Sequence, residues 1–217
     1  MKITRHYCNR KAILHAYWAS SCTWRVRAAL RVKSIPHEEK HYEIIKEKQH
    51  LTDNFRKICP TQKVPALEID GVTLIESMAI IQYLEEIKPQ PTLLPSTPLL
   101  RARMREICEV VVSGIQPLQN VGLKDQTEEQ FESVALYYTA RGLETLEDLV
   151  SKTSGGKYCI GDQLTMADLC LVPQVYNAIT RRKLDISKYP TINKIYKYLI
   201  EQDVFKATHP ELFKPTQ

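Results

Sequence analysis

The chain has 217 residues, of which 43% are hydrophobic and 25% charged, a balance typical of a folded globular protein with a sizeable core. The formal net charge of +5 comes entirely from residues 1–88, and no cluster of Lys and Arg with interleaved aromatic residues predicts nucleic-acid binding. Because no apolar run approaches the roughly 20 residues that span a bilayer, we expect no membrane-spanning helix and no membrane partner.

The six cysteines are spread along the chain without a Cys-x-x-Cys pair or a Cys/His spacing typical of zinc sites. This pattern predicts reduced thiols in a cytoplasmic protein, with neither a disulfide framework nor a metal. Residues 1–11 form a basic N-terminal extension, and no apolar segment of the kind found in secretory signals follows them. The alternative interpretation is a short amphipathic targeting segment that would send a minor fraction of the protein to mitochondria.

The first two elements surround a run of small polar side chains. An apolar stretch, 12–17, predicts a buried strand, and Ser20-Ser21-Cys22-Thr23-Trp24-Arg25 then opens an amphipathic helix. The first N–H groups of a helix, together with the helix dipole, favour a negatively charged atom. We therefore predict an anion site at this turn, where a Cys22 thiolate would be favoured and Arg25 would add positive charge. The alternative is that the serines only cap the helix and that Cys22 is inert.

The next elements are short and rich in β-forming residues. A second strand is predicted within 37–45, and a loop with a short helix within 49–58. Two β-rich runs, 63–69 and 72–75, flank Asp70-Gly71, which is the strongest short-range signal for a hairpin. The order of these elements predicts a βαβ unit with parallel strands, followed by a hairpin.

Two dipeptides, one before this hairpin and one after it, are candidates for binding a ligand. Pro65 stands at the mouth of the hairpin, where a cis Val64-Pro65 bond, the less common isomer, would present the backbone of Val64 to an extended peptide. Glu76-Ser77 opens a helix over 78–87, so a second polar pair meets a helix N-terminus. The two N-termini can converge on one anionic ligand. Alternatively, Ser77 is only a cap and Glu76 a favourable acid of the first turn.

The second half of the chain is predicted to be helical. Residues 88–98 contain four prolines and no periodicity, which indicates a linker. Beyond it we predict helices over 99–119, with a bend or break at Gly114 and Pro117, and over 128–152, 165–178 and 192–200.

Two motifs in this half have a structural and a functional interpretation. Thr165 and Asp168 have capping-box spacing, so we interpret Asp168 as structural and a catalytic role as the alternative. Arg181-Arg182-Lys183 is a basic cluster that is either a solvated loop or a clamp for a substrate carboxylate.

This order of elements resembles that of the soluble glutathione transferases over nearly the whole chain. More narrowly, residues 20–27 are similar to the signature S-S-C-[ST]-W-R-V-R of the zeta class, and residues 114–120 and 165–173 match that class too. The resemblance implies an α/β thioredoxin-like N-terminal domain over 12–88, a linker over 89–98 and an all-α helical-bundle domain over 99–217. It also implies glutathione as the cofactor and a homodimer as the assembly.

The resemblance implies a role for each matching residue. Ser20 and Cys22 would lie at the glutathione sulfur as the catalytic pair, and the backbone of Val64 would pair with the cysteinyl part. Glu76 and Ser77 would hold the γ-glutamyl group. The whole implied glutathione-binding set is Ser20, Ser21, Cys22, Thr23, Trp24, Arg25, Gln49, His50, Val64, Glu76, Ser77, Gln116 and Asn120.

Some of these assignments remain alternatives. Either Gln49 or His50 lies where the family has a glutathione-binding Gln. The sequence does not fix the register of this loop, so both residues are kept as candidates. Either Arg181 or Arg182 would hold the substrate carboxylate. The chain also departs from the class, since Ala19 stands where an Arg is usual, Gly122 where a Ser is usual, and Glu76 where a Gln is frequent. The first two departures remove polar contacts near the site.

The activity implied by the resemblance is glutathione-dependent conversion of maleylacetoacetate to fumarylacetoacetate in tyrosine and phenylalanine catabolism, with transferase activity on small α-haloacids. The partner would be a small, acidic, electrophilic substrate. Two alternatives share the fold. One is a thiol transferase or dehydroascorbate reductase that works through a mixed disulfide on Cys22. The other is a ligand-binding protein without catalysis.

Overall fold

The computed structural model describes residues 11–119 and 127–215, which separate into two compact units. The first unit runs to Pro91 and also includes the C-terminal segment that starts at Ala207, whereas the second unit is Thr92–Lys206. The change of unit falls inside the predicted linker, 89–98. The C-terminal segment, which we predicted as part of the helical domain, packs instead with the first unit.

The first unit is built on a four-stranded sheet. Its strands are β1 (Ala12–Ala16), β2 (His37–His41), β3 (Ala66–Ile69) and β4 (Val72–Ile75), and their order in the sheet is β2-β1-β3-β4. The β1–β2 pair is parallel, and the β1–β3 and β3–β4 pairs are antiparallel. The structure therefore contains the expected βαβ unit and hairpin. Strand β2 is shorter than predicted, because the backbone of Glu43 pairs with Gln49 of its own loop.

Three helices cover the sheet of the first unit: α1 (Ser21–Val32), α2 (Asp53–Ile58) and α3 (Ser77–Ile87). Helices α1 and α3 pack against each other. The His15 ring contacts Phe55 of α2, and Leu14 and Ala16 are fully buried. Because successive side chains of a strand point to opposite faces, α2 covers the face that carries His15.

The second unit is helical, as predicted. Its helices are α4 (Pro98–Glu109), α5 (Glu128–Val150), α6 (Met166–Thr180), α7 (Pro190–Leu199) and α8 (Asp203–Lys206). Beyond α4 the chain continues as a π-helical segment, Val110–Ile115, and a 3₁₀ turn, Gln116–Gln119, which is the interruption expected at Gly114 and Pro117. Within the two described ranges, no helix combines the length and the apolar character needed to cross a bilayer.

Asp168 lies at the start of α6 and is completely buried. Its carboxylate accepts hydrogen bonds from the Thr165 amide at 2.7 Å, the Thr165 hydroxyl at 2.9 Å and the Cys159 amide at 2.7 Å. Burial raises the pKa of this carboxyl group, and the hydrogen bonds partly oppose that shift. These contacts support the structural interpretation of Asp168.

Candidate functional site

The sheet register brings the candidate segments of the first unit to one edge. His15, near the end of β1, pairs with Ala66, the first residue of β3, and Ala66 also pairs with Ile75, the last residue of β4. The end of β2 lies beside the end of β1, since His41 pairs with Ala16. The chain therefore leaves or enters the sheet at this edge through four connections, which lead to Ser20, to Gln49 and His50, from Val64, and to Ser77.

Ser20 caps helix α1 at this edge. Its hydroxyl oxygen accepts a hydrogen bond from the Thr23 amide at 3.2 Å, as a serine N-cap should. Ser21 and Cys22 are the first two residues of the helix, and amides at these positions have no partner inside a helix. Cys22 is partly exposed, so its side chain is accessible to a ligand.

The start of helix α3 has a different geometry. Glu76 precedes the helix with φ of +65°, in the left-handed region that non-glycine residues seldom adopt. In the described part of the chain its side chain makes no capping hydrogen bond to α3, so the interpretation of Glu76 as a first-turn acid does not hold. Ser77 is the first helical residue and is almost fully buried. A strained residue beside an uncapped helix N-terminus is an arrangement found at ligand clamps.

Arg25 joins the two helix starts. Its Nη1 atom donates to Ser77 Oγ at 3.4 Å and to Cys22 Sγ at 3.8 Å. Two N-termini that the sequence places about fifty residues apart thus share one guanidinium group. The arrangement concentrates positive charge and N–H donors at one place, which suits a ligand with a carboxylate and a thiolate.

Thr23 and Trp24 are buried beneath the same turn. Both side chains are shielded from solvent, and the Trp24 Nε1 atom donates to Thr208 Oγ1 at 2.9 Å. Neither side chain offers surface to a ligand, so only their backbone groups can contribute to binding.

The loop that follows β2 carries the two alternatives Gln49 and His50. The Gln49 side chain is used within the loop, because its oxygen accepts from the Glu43 amide at 2.8 Å and its nitrogen donates to Glu47 at 2.5 Å. The His50 Nδ1 atom is buried and has no hydrogen-bond partner in the described residues. Burial lowers the pKa of His50. The loop geometry favours His50 over Gln49 as the side chain left for a ligand.

Val64 lies at the same sheet edge, directly before β3. The Val64-Pro65 bond is cis, and the Val64 side chain packs against Phe55, Cys59 and Ala66. The side chain thus anchors the residue, whereas Val64 takes no part in the strand pairs of the sheet. This is the arrangement in which the backbone of Val64 could pair with an extended peptide.

The second unit carries the remaining candidates. Gln116 opens the 3₁₀ turn, and Asn120 and Gly122 lie outside the described residues. The Arg182 side chain is 9% exposed, forms an ion pair with Glu132 and donates to the Gln119 carbonyl at 3.1 Å. Arg181 is exposed at the end of α6. Arg182 is therefore engaged within its own unit, and Arg181 is the more exposed of the two arginines.

Comparisons with known proteins identify the family to which the chain belongs. Residues 14–92 match the family "Glutathione S-transferase, N-terminal domain", and residues 118–207 match "Glutathione S-transferase, C-terminal domain". The chain belongs to the glutathione S-transferases. The predicted fold class, a thioredoxin-like domain followed by a helical domain, is thereby confirmed.

Individual relatives place this glutathione transferase in the zeta class. It is 52% identical to "Probable maleylacetoacetate isomerase 1" of Drosophila melanogaster, over 92% of this chain and 82% of the relative. A holo structure of a bacterial zeta-class maleylpyruvate isomerase is 33% identical, with a TM-score of 0.87 and coverage of 94% and 99%. The maleylacetoacetate isomerase of Anaeromyxobacter dehalogenans, with glutathione in its active site, is 37% identical, with a TM-score of 0.81 and coverage of 93% and 95%. The resemblance to the zeta class, which was stated from the sequence, is confirmed.

The position of Arg25 in this glutathione transferase was not foreseen from its sequence. We predicted that Arg25 would add charge one turn into α1, and its bridge to Ser77 was missed. A signal was present, because Arg25 and Arg27 are two residues apart and cannot share one face of a helix. One of the two had to point away from the other, toward a neighbouring element.

Proposed function

We propose that this glutathione transferase is a glutathione-dependent isomerase that converts maleylacetoacetate to fumarylacetoacetate. The observation that carries the proposal is the single guanidinium of Arg25 between Cys22 and Ser77, which joins two helix N-termini at one sheet edge. The names of relatives at 52% identity and the glutathione in a solved relative support the same activity.

The residues of this edge fit a glutathione molecule in the proposal. Its sulfur lies at Ser20 and Cys22, and the amides of the first α1 turn stabilise its negative charge. The γ-glutamyl group lies at Glu76 and Ser77, and the backbone of Val64 pairs with the cysteinyl amide. When bound, glutathione supplies the thiolate that adds to the cis double bond of the substrate and leaves after rotation about the resulting single bond.

The proposed substrate is a small acid with an electrophilic double bond. The exposed Arg181 binds its carboxylate, and Arg182 keeps its ion pair with Glu132 and holds the adjoining turn. The zeta-class resemblance also implies a binding role for Gln116 and Asn120. A cation near the carboxylate both orients the substrate and stabilises the negative charge that develops during addition.

Further properties follow the zeta-class resemblance. We propose that the protein also displaces halide from small α-haloacids, acts in tyrosine and phenylalanine catabolism in the cytoplasm, and forms a homodimer. Large apolar side chains on the surface of the described residues, including Leu99 and Tyr137, are available for self-association. Sedimentation of the purified protein tests the dimer directly, and a monomer at micromolar concentration would contradict it.

The decisive experiment follows cis-to-trans conversion of maleylacetone, a cis diketo acid, with and without glutathione. We expect conversion only with glutathione. Ser20→Ala should lower kcat/KM about tenfold or more, since it removes a hydroxyl from the sulfur site. Thr97→Ala is the matched control, because Thr97 caps α4 in the same way and lies outside the site. Conversion without glutathione, or none with it, would disprove the isomerase.

A second candidate activity is favoured by the exposure of Cys22 beside Arg25. A thiol transferase or dehydroascorbate reductase would use the Cys22 thiolate as its own nucleophile. Cys22→Ala would abolish that activity and leave much of the isomerase, whose nucleophile is glutathione. A ligand-binding protein without catalysis would bind glutathione and convert neither type of substrate.

A further inference from the structure

Arg25 is the unusual charged group of the first unit. Its side chain is 1% exposed, and it donates through Nη1 alone, to Cys22 and Ser77. Its Nε and Nη2 atoms are buried without a hydrogen-bond partner, and no ion pair among the described residues includes it. A buried cation without a partner destabilises a fold, because it has lost water and gained no opposite charge.

The other buried cations nearby are neutralised. Arg27, two residues further along α1, binds the two oxygens of Glu39 through Nε and Nη2, at 2.7 and 2.8 Å, and its Nη1 atom alone is buried without a partner. Lys33, at the end of the same helix, contacts Glu85 of α3 at 2.5 Å. Histidines of the surrounding elements also have partners: His15 contacts Glu68 and Tyr42, His37 and His41 contact Glu39, and His209 contacts the Trp24 ring.

Glu76 is the carboxylate nearest in sequence to Ser77, one of the two residues that Arg25 contacts. Its side chain is exposed, and within the described residues no hydrogen bond or ion pair joins it to Arg25. The charge of Arg25 is therefore not balanced by a carboxylate of the described residues, and it acts through space on negative charge in a nearby ligand. In the proposed function, the two atoms that Arg25 contacts, Cys22 Sγ and Ser77 Oγ, lie near the thiolate and the γ-glutamyl carboxylate of the ligand.

We propose that Arg25 is the positioning residue that couples the thiolate end of the glutathione site to its γ-glutamyl end. This inference rests on the proposed function, since it presumes that glutathione occupies this edge. Arg25 is too deeply buried to touch the ligand, and it acts through its charge and through the two side chains that it orients.

The orientation of Ser77 follows from its hydrogen bond. Because Ser77 Oγ accepts the Nη1 proton of Arg25, its own hydroxyl proton is free to point toward a ligand carboxylate. At the other end, the guanidinium beside Cys22 favours negative charge on a neighbouring sulfur atom. The same side chain thus strengthens carboxylate binding and thiol ionisation, and these two effects can be measured separately.

The test is titration calorimetry of the full-length protein with glutathione and with S-methylglutathione, which has no ionisable thiol. Proton release is obtained by repeating each titration in buffers of different ionisation enthalpy. Arg25→Met should weaken glutathione binding more than S-methylglutathione binding. It should also shift ionisation of the bound thiol to higher pH by an amount equivalent to about a tenfold loss of thiolate near neutral pH.

Arg25→Lys separates charge from geometry. An ammonium group keeps the positive charge but lacks the planar fork, so proton release should persist while both peptides bind severalfold more weakly. Arg31→Lys is the matched control on the same helix, because Arg31 is exposed and the substitution keeps its charge, and its binding should equal that of the unsubstituted protein.

Several results would overturn the inference. One is an Arg25→Met protein that binds glutathione with unchanged affinity and proton release. If that variant does not fold, the two lysine variants decide, and equal binding by Arg25→Lys and Arg31→Lys would refute the coupling. Failure of the unsubstituted protein to bind glutathione would overturn the proposed function itself, and the inference with it.

Discussion

The guanidinium of Arg27 lies over the ring of Phe213, with its central carbon 3.7 Å from the ring centre. The His41 ring also stacks on Phe213, and Thr208 accepts a hydrogen bond from Trp24. The C-terminal segment therefore packs along α1, the helix that begins at the candidate site. Both contacts on α1 involve residues within two turns of Cys22, so the segment supports the helix that carries the proposed sulfur site.

We expect Phe213→Ala to destabilise the first unit by about 2 kcal/mol, through loss of the cation–π contact and of buried aromatic area. Urea unfolding measures the change, and glutathione affinity should fall with it. Leu212→Ala is the control, because the neighbouring Leu212 is 66% exposed. Equal stability of the two variants would show that the segment does not support α1.

The lowered pKa of Glu39 makes the stability of the first unit depend on pH. Burial alone would raise the pKa of this carboxyl group, but hydrogen bonds from Arg27 and His37 outweigh burial and lower the pKa from 4.5 to about 2. Because the folded pKa lies below the unfolded one, the ionised group stabilises the fold above about pH 4.5, and this contribution disappears as the pH falls toward 2.

Ionised Glu39 contributes about 3 kcal/mol to the free energy of unfolding. We expect the free energy of unfolding to decrease between pH 5 and pH 2 (values that bracket the two pKa values) and Glu39→Gln to flatten that part of the curve. Glu38→Gln is the control, since Glu38 is exposed on the same strand. Identical pH curves for Glu39→Gln and the unsubstituted protein would refute the assignment.

Gly142 allows α5 to approach the π-helical segment that precedes Gln116. A Cβ atom at Gly142 would lie 2.2 Å from Cγ1 of Ile115, so the Ile115 side chain would have to move. We expect Gly142→Ala to cost about 1–3 kcal/mol in unfolding free energy. Adding Ile115→Val removes one of the clashing atoms and should restore part of the loss, as a double-mutant cycle would show. Additive losses would mean that the two residues do not clash.

The sequence predicts the parts of the candidate site that depend on local pattern. Polar residues between a strand and a helix predicted that one helix starts near Ser20 and another near Ser77. Asp70-Gly71 predicted the hairpin that brings Val64 to the same edge of the sheet. These features arise from neighbouring residues, so a single sequence contains them.

Features that depend on distant partners were not predicted. Arginine is usually exposed, and the spacing of Arg25 and Arg27 shows only that the two point to different faces of α1, not that the Arg25 guanidinium reaches Ser77. The docking of Phe213 on Arg27 joins opposite ends of the chain, and β2 stops early because Gln49 pairs with Glu43. Each of these depends on tertiary contacts, which override local propensity.

The Asp168 carboxylate provides a test of the second unit that is separate from glutathione. Asp168→Ala would leave the buried amides of Thr165 and Cys159 without an acceptor, and we expect a loss of about 3–5 kcal/mol. Asp168→Asn keeps the shape but replaces one acceptor oxygen with a donor that faces these amides, so it should also destabilise the unit, by less. Asp148→Ala, which removes an exposed carboxylate from α5, is the control. Thermal unfolding measures all three variants, and an Asp168→Ala protein as stable as the control would show that the carboxylate does not hold the start of α6.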